Sequence, residues 1–400
     1  MTDLLLVGAS GFAGRRVARH LHRRCHELGL HLTLAGRSLE RLARVRDEIK
    51  QPDLPDPELL QMDLHDAESC RQAAETARVI LSTVGPYQLH GRELVAACAA
   101  AGTDYADLTG EVPWMREMID AHHEAARDAG CRIVHACGFD SVPSDLGVMT
   151  AQNQARDAAG RTRPALELLL GPSEGGFSRG TFDSLIGVLR AALRSERVRA
   201  VMRDVHSLEP RWPEGHAGSR PLPRGWRTAD GRWALPFVME GINARVVHRS
   251  HALAGYPWGT DFSYRELIPL GSGPGGLLAA TAGRMAMKLF LAALAFGPTR
   301  WLVSRFLPAP GSGPAIAERD GGSFRVTICD GNDGSALVDV SARRDPGYGA
   351  TAIMLAEAGL LLRQTADEPG RAVGVLTPSA ALGTTYVAAL NAAGVMVEVR

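Results

Sequence analysis

The sequence predicts an α/β chain: a Rossmann-type doubly wound parallel sheet followed by a second α+β domain on a mixed sheet. Three observations carry this prediction. The chain opens on a strand that runs into a Gly-rich loop and a helix, strands and helices alternate to about residue 147, and strands between Pro/Gly-rich loops replace that rhythm afterwards. The expected division is 1–147, a nucleotide-type first domain; 148–345, a substrate or oligomerisation domain that includes an apolar segment at 276–307; and 346–400, a C-terminal segment returning to the first domain.

Leu4, Leu5, Leu6 and Val7 are four apolar residues in a row, the pattern of a strand buried on both faces. Gly8, Gly11 and Gly14 follow at once, and Val17, Ala18 and Leu21 then recur at helical spacing. In such a strand–loop–helix unit Gly8 allows the tight turn. Gly11 leaves no Cβ between backbone and pyrophosphate, and Gly14 lets the helix pack against the strand. With Ala9, Ser10 and Phe12 these residues form a candidate phosphate cradle, because amides and dipole at a helix N-terminus attract anions.

Residues 31–38 read as the second strand, ending at Gly36-Arg37-Ser38. A site for NAD would place Asp or Glu here to hold the ribose 2′-hydroxyl, whereas Arg37 and Ser38 suit a 2′-phosphate, so the expected cofactor is NADP(H). Residues 59–64 form a third strand with Asp63 at its adenine-facing tip, and Asp66 caps a helix to about residue 77. A fourth strand at 79–84 leads to Val84-Gly85-Pro86, placed where nicotinamide lies in a doubly wound sheet. A helix at 92–101 capped by Gly102, the run 103–111, a helix at 114–129 ended by Gly130 and a sixth strand at 131–136 complete the first domain.

In the second region, strands are expected at 165–171, 234–241, 244–250 and 261–267. The loop 210–231, with Trp212 and Trp226, has the length of a lid. Segment 276–307 reads as two amphipathic helices joined at Gly297-Pro298. Arg284 and Lys288 sit inside it, each costing about 2.5–3.5 kcal/mol at a bilayer centre, which disfavours a membrane span. Three roles stay open for it: a core-packing helix pair, peripheral contact with membrane or lipid, and a homodimer interface. Residues 324–331 and 335–343 form a hairpin around Asn332-Asp333-Gly334, and 351–363 a helix.

Forty-four basic residues balance 44 acidic ones, and no basic run with interleaved aromatics occurs, so nucleic acid is not an expected partner. The six cysteines lack a CxxC pair, which argues against a zinc site and a disulfide framework, and no metal is expected. No charged n-region or cleavage site precedes the first strand, so the expected location is the cytoplasm, with the inner face of the plasma membrane as the alternative if 276–307 touches lipid.

The runs TVGPYQLHGRELVAACAAAGTDYADLTGE (83–111) and CGFDSVPSDLG (137–147) resemble those of the saccharopine dehydrogenase-like oxidoreductases. They are most similar to the branch that holds the trans-acting enoyl reductases of mycobacterial glycolipid synthesis. GGFSRGTFDS (175–184), PGSGP (310–314), DPGYGATAIMLAEAGLLL (345–362) and GVLTPSAALG (374–383) extend the resemblance nearly end to end. It implies a Rossmann domain, NADP(H) and an oxidoreductase acting on lipid-linked substrates. Two departures stand out. Arg179 precedes Gly180 where the group shows Gly-Gly. The Lys/His pair of the lysine-forming saccharopine dehydrogenases has no counterpart, since the only lysines are Lys50 and Lys288.

Hydride transfer requires a proton donor beside the reacting carbon. No tyrosine is followed four residues later by lysine, which excludes the YxxxK arrangement. Tyr87, His90 and Tyr105 are the candidate catalytic residues. Asp107, Glu111, Asp140, Ser141 and Asp145 share the strand-end region, with Asp140 and Ser141 expected to order the interdomain loop. The resulting expectation is an NADP(H)-dependent reductase of a hydrophobic acyl, lipid or polyketide-derived substrate. The alternatives are an amino-acid or imine oxidoreductase of the saccharopine type and a lipid-surface protein that keeps the nucleotide fold without turnover.

Overall fold

The computed structural model describes residues 1–174, 179–210, 227–295 and 322–400. The loop tryptophans Trp212 and Trp226, the expected second helix of 276–307, and the 175–178 and 310–314 motif runs lie outside the described residues.

Seven parallel strands build the first sheet: β1 (Thr2–Val7), β2 (Leu32–Gly36), β3 (Glu58–Gln61), β4 (Ala77–Ser82), β5 (Asp104–Asp107), β6 (Arg132–Val134) and β12 (Gly374–Leu376). Their order is β12-β6-β5-β4-β1-β2-β3. The chain direction through the sheet reverses between β1 and β4, the crevice position of a doubly wound fold. The apolar opening run works as its pattern predicts. Leu4 and Leu6 face one layer, with Val17 and Leu21 of α1 (Phe12–Leu28), while Leu5 and Val7 face the other, with Leu94 and Val95 of α5 (Arg92–Ala101). All four strand residues are buried, each worth about 1.5–3 kcal/mol relative to exposure.

The remaining first-domain helices are α2 (Leu39–Ile49), α3 (Ala67–Thr76), α4 (Tyr87–His90), α6 (Val112–Asp128) and α7 (Val142–Ala159). Asp66 caps α3 by accepting from Glu68 N at 3.1 Å, and Gly102 and Gly130 follow α5 and α6 with φ of 73°.

The second sheet is mixed, in the order β13-β11-β10-β7-β9-β8, with β7 (Ala165–Glu174) parallel to β9 (Ser263–Gly271). Strands β10 (Ser323–Asp330) and β11 (Ala336–Ala342) form the expected hairpin, and β8 is shorter than expected, Trp233–Pro236. Helices α8 (Arg179–Arg194) and α9 (Glu196–Arg203) follow β7. One element is of the other type: the expected strand at 244–250 lies inside helix α10 (Glu240–Leu253). Asn243 through Ala252 are all buried, so this helix has protein on every side and shows no amphipathic stripe.

The last 50 residues serve both sheets. Helix α12 (Thr351–Gln364) lies on α1, where its buried Glu357 meets His20 Nε2 at 2.7 Å and Arg24 Nε at 3.3 Å. Strand β12 extends the first sheet beside β6, α13 (Pro378–Ala392) follows, and β13 (Val395–Val399) pairs with β11. Helix α11 (Gly273–Ala295) is long and apolar enough to cross a membrane by length and composition, and 12% of its most apolar window is buried. Leu278, Met285 and Leu289 on it are exposed, so its described part is not a core-packing helix.

Candidate functional site

The carboxyl ends of the parallel strands gather the sequence-marked residues. Gly8 has φ of 83°, and its amide donates to Ala35 O at 2.9 Å, which turns the chain sharply after β1. A Cβ at Gly14 would fall 2.1 Å from Gly8 O, so only glycine lets α1 start this close to the strand. Gly11 occupies the N-cap, where no side chain caps the first amides of α1. These donors face outward with the positive end of the helix dipole, the arrangement a pyrophosphate needs.

At the adenosine end, Arg37 is exposed at the tip of β2, and Ser38 caps α2 by accepting from Arg41 N at 3.3 Å. Asp63 follows β3, and its Oδ1 accepts from His65 N at 3.0 Å. His90 sits here too. Its Nδ1 lies 3.0 Å from His65 Nε2, with the two rings edge to face at 5.0 Å. Burial first, then the neighbouring His65 ring and the Arg37 charge, lower the His90 pKa, which favours the neutral form of the His90 ring. The loop therefore presents Arg37, Ser38, His65 and His90 around the place expected for a 2′-phosphate. Val84, Gly85 and Pro86 follow β4, on the nicotinamide side.

The three candidate catalytic residues do not converge. Besides His90 at the adenosine end, Tyr87 is buried, its hydroxyl donating to Ser82 O at 3.0 Å and accepting from Leu108 N at 3.1 Å. Tyr105 is fully buried in the core. Burial raises the pKa of both phenols well above 10, which removes them from proton exchange near neutrality.

The neighbouring carboxylates are nearly all committed to structure. Glu111 accepts from Tyr87 N at 2.8 Å, Gln88 N at 2.9 Å and Ser184 Oγ of α8 at 2.8 Å, tying the two domains together. Asp107 meets His135 Nδ1 at 2.8 Å and accepts from Thr109 N at 3.0 Å. Asp145 accepts from Ser250 Oγ, and from Ser379 N at 2.7 Å and Ser379 Oγ at 2.8 Å. Glu266 accepts from Ser144 Oγ at 2.6 Å, Tyr264 at 2.8 Å and Asn243 at 2.9 Å, while Ser141 donates to Asn243 at 3.0 Å.

Asp140 differs from all of these. It lies in the loop that leaves the carboxyl end of β6, and its carboxyl has no hydrogen-bond partner among the described residues. Burial pushes its pKa up to about 6. The sequence motif marked this residue but gave it an ordering role, and nothing in the motif separates it from Asp145. Apolar side chains lie at the same strand ends: Leu108, Phe139 and Ile242 are partly buried, and the Ile242 side chain closes over Gly110, where an added Cβ would come within 3.0 Å of it. A separate groove of about 640 Å³ starts at Ser10 and Phe12 and runs beside α1 past Arg15, Arg16 and Arg19, away from Asp140.

Residues 4–134 match the saccharopine dehydrogenase NADP binding domain family. The chain is 39% identical to a candidate trans-acting enoyl reductase of Mycobacterium tuberculosis over 99% of this chain and 97% of that protein. It is 37% identical to the trans-acting enoyl reductase of Mycobacterium ulcerans over 99% and 97% of the two chains. Among solved structures, the apo saccharopine dehydrogenase (L-Glu forming) of Saccharomyces cerevisiae superposes with a TM-score of 0.54 over the full length of both chains at 13% identity, a likeness of fold.

Proposed function

From a chain that belongs to the saccharopine dehydrogenase-like family of NADP-dependent oxidoreductases, among the trans-acting enoyl reductases, we propose an NADPH-dependent reductase of the C=C bond of a hydrophobic enoyl thioester, with Asp140 as proton donor. The observation that carries this reading is the unpartnered, half-buried Asp140 carboxyl in the loop at the strand ends, next to the partly buried Phe139. Among the described carboxyl groups of that crevice, the others are held by hydrogen bonds that their loops require.

The residues present fit the cofactor. The Gly14 position admits no Cβ, the α1 amides are uncapped by side chains, and Arg37 and Ser38 follow β2. NADPH supplies a hydride, which in enoyl reduction reaches the β-carbon. The α1 amides would hold the pyrophosphate of the bound cofactor. Phe139, Leu108 and Ile242 bind the acyl chain and exclude water from the reacting bond. Asp140 then gives its carboxyl proton to the α-carbon. A pKa of about 6 keeps roughly a tenth of the free enzyme in the acid form at pH 7, close to the value that suits an acid at neutrality.

The test is isotopic. With NADPH deuterated at C4 and a medium-chain 2-enoyl thioester in ordinary water, mass spectrometry should find one deuterium at the β-carbon. With ordinary NADPH in heavy water, it should find one at the α-carbon. Reduction of a carbonyl or an imine with no turnover of the enoyl thioester would overturn the proposal.

A further inference from the structure

A second cluster, away from the crevice, has the composition of a metal site. The turn after α9 carries His206 and Glu209, and α10 carries His248. One ligand atom from each lies within 4.8 Å of the other two. His206 Nδ1 is 2.6 Å from Glu209 Oε1, and the two imidazoles meet edge to face at 4.7 Å. Together they offer two nitrogens and one carboxylate oxygen, a donor set suited to zinc.

The cluster is built rather than accidental. His248 is 3% exposed, and its ring lies edge to face with that of His206. The turn itself is pinned. Arg116 of α6 donates to Ser207 O at 3.2 Å and Glu209 O at 3.0 Å, Arg249 donates to Leu208 O, and Arg245 Nε donates to Ser207 Oγ at 3.2 Å. Glu209 Oε2 accepts from Tyr256 at 3.2 Å, the kind of outer partner that orients a ligating carboxylate, while Oε1 faces His206.

We infer that His206, Glu209 and His248 bind one divalent zinc-like cation, with water in the fourth position. The cation joins the turn after α9 to helix α10, so its role is to fix that turn, which Arg116 of α6 also holds, against the second domain. It takes no part in hydride or proton transfer at Asp140, and the inference stands apart from the enoyl reading.

The experiment uses the full chain without an affinity tag, stripped with a chelator and titrated with Co²⁺ as the spectroscopic stand-in for zinc. The expected result is one Co²⁺ per chain, visible d–d bands of a four-coordinate site, displacement by Zn²⁺ and a Zn²⁺-dependent rise in Tm. Glu209→Gln keeps the size of the side chain and its reach to Tyr256. It should weaken binding at least about tenfold, as should His206→Ala, while NADPH binding confirms that both variants are folded. Absence of Co²⁺ bands and of any Tm response in the parent chain would overturn the inference. Equal affinity in parent and folded variants would do the same.

Discussion

Replacing Asp140 by Asn separates catalysis from stability, because the two should change in opposite directions. The carboxyl titrates near 6 instead of the ordinary 3.8, so the folded chain holds its proton where the unfolded chain has released it. The sign follows: the folded state binds more protons between about pH 4 and pH 6, and stability falls as pH rises through that window. Above it, the buried anion costs up to roughly 3 kcal/mol at ~1.4 kcal/mol per tenfold change. Water in the crevice mouth reduces this, and the Asn amide is itself left without a partner, so about 1–2 kcal/mol of stabilisation is the expected gain at pH 8. At pH 4 the gain should vanish. Enoyl turnover should fall about 10²–10³-fold, the usual contribution of a positioned acid. Urea unfolding at the two pH values measures the first effect and NADPH oxidation the second. The reasoning is refuted if Asp140→Asn retains kcat, or if its stability change is the same at pH 4 and pH 8.

Gly14→Ala places a methyl 2.1 Å from a backbone carbonyl, where no rotamer change relieves it. It should cost about 1–3 kcal/mol in urea unfolding and at least tenfold in NADPH affinity by fluorescence titration. Arg37→Ala should weaken NADPH about 10–100-fold, the loss of one or two charge-assisted hydrogen bonds, and leave NADH unchanged; a parallel loss for both cofactors would place Arg37 away from the 2′-phosphate. A 2′-phosphate beside His90 favours its imidazolium, so NADPH affinity should rise relative to NADH as pH falls from 8 to 6.5. His90→Gln should flatten that difference, and isothermal titration at the two pH values would show it.

The cofactor half of the molecule was legible because its signals are local. A buried apolar run, three glycines at fixed spacing and Arg37 at a strand tip lie within the first 37 residues, and each constrains backbone that the fold then uses. Helix α10 shows where local reading fails. Arg245, His248, Arg249 and His251 break up its apolar residues in a way that reads as strand alternation, yet all four are buried. Arg249 reaches Leu208 O and Val375 O, and His251 reaches Gly259 O at 2.8 Å, partners that only tertiary folding supplies. His90 was misplaced for a related reason. Its neighbour His65 is 25 positions away, and one turn of α4 directs it to the adenosine end. The His206–Glu209–His248 cluster is hidden in the sequence too, since it contains no cysteine and only the fold brings His248 of α10 to the turn after α9.

Asp140 and Asp145 show most directly what one sequence leaves undecided. Both belong to the run 137–147, both are Asp, and burial pushes each pKa to about 6. Asp145 lies in the first turn of α7, where Ser250 of α10 and Ser379 of α13 surround it, and to titrate it must disturb three elements at once. Asp140 sits one residue before the N-cap Ser141, and Ser141 spends its hydroxyl on Asn243 and thereby on the Glu266 network. That anchor fixes the backbone beside Asp140 and leaves the Asp140 side chain uncommitted. A proton donor needs both conditions, a rigid backbone to hold distance and a carboxyl free of competing donors. In a chain with two lysines, and with Tyr87 and Tyr105 sealed in the core, the partners of the neighbouring residue are what qualify Asp140 for the role.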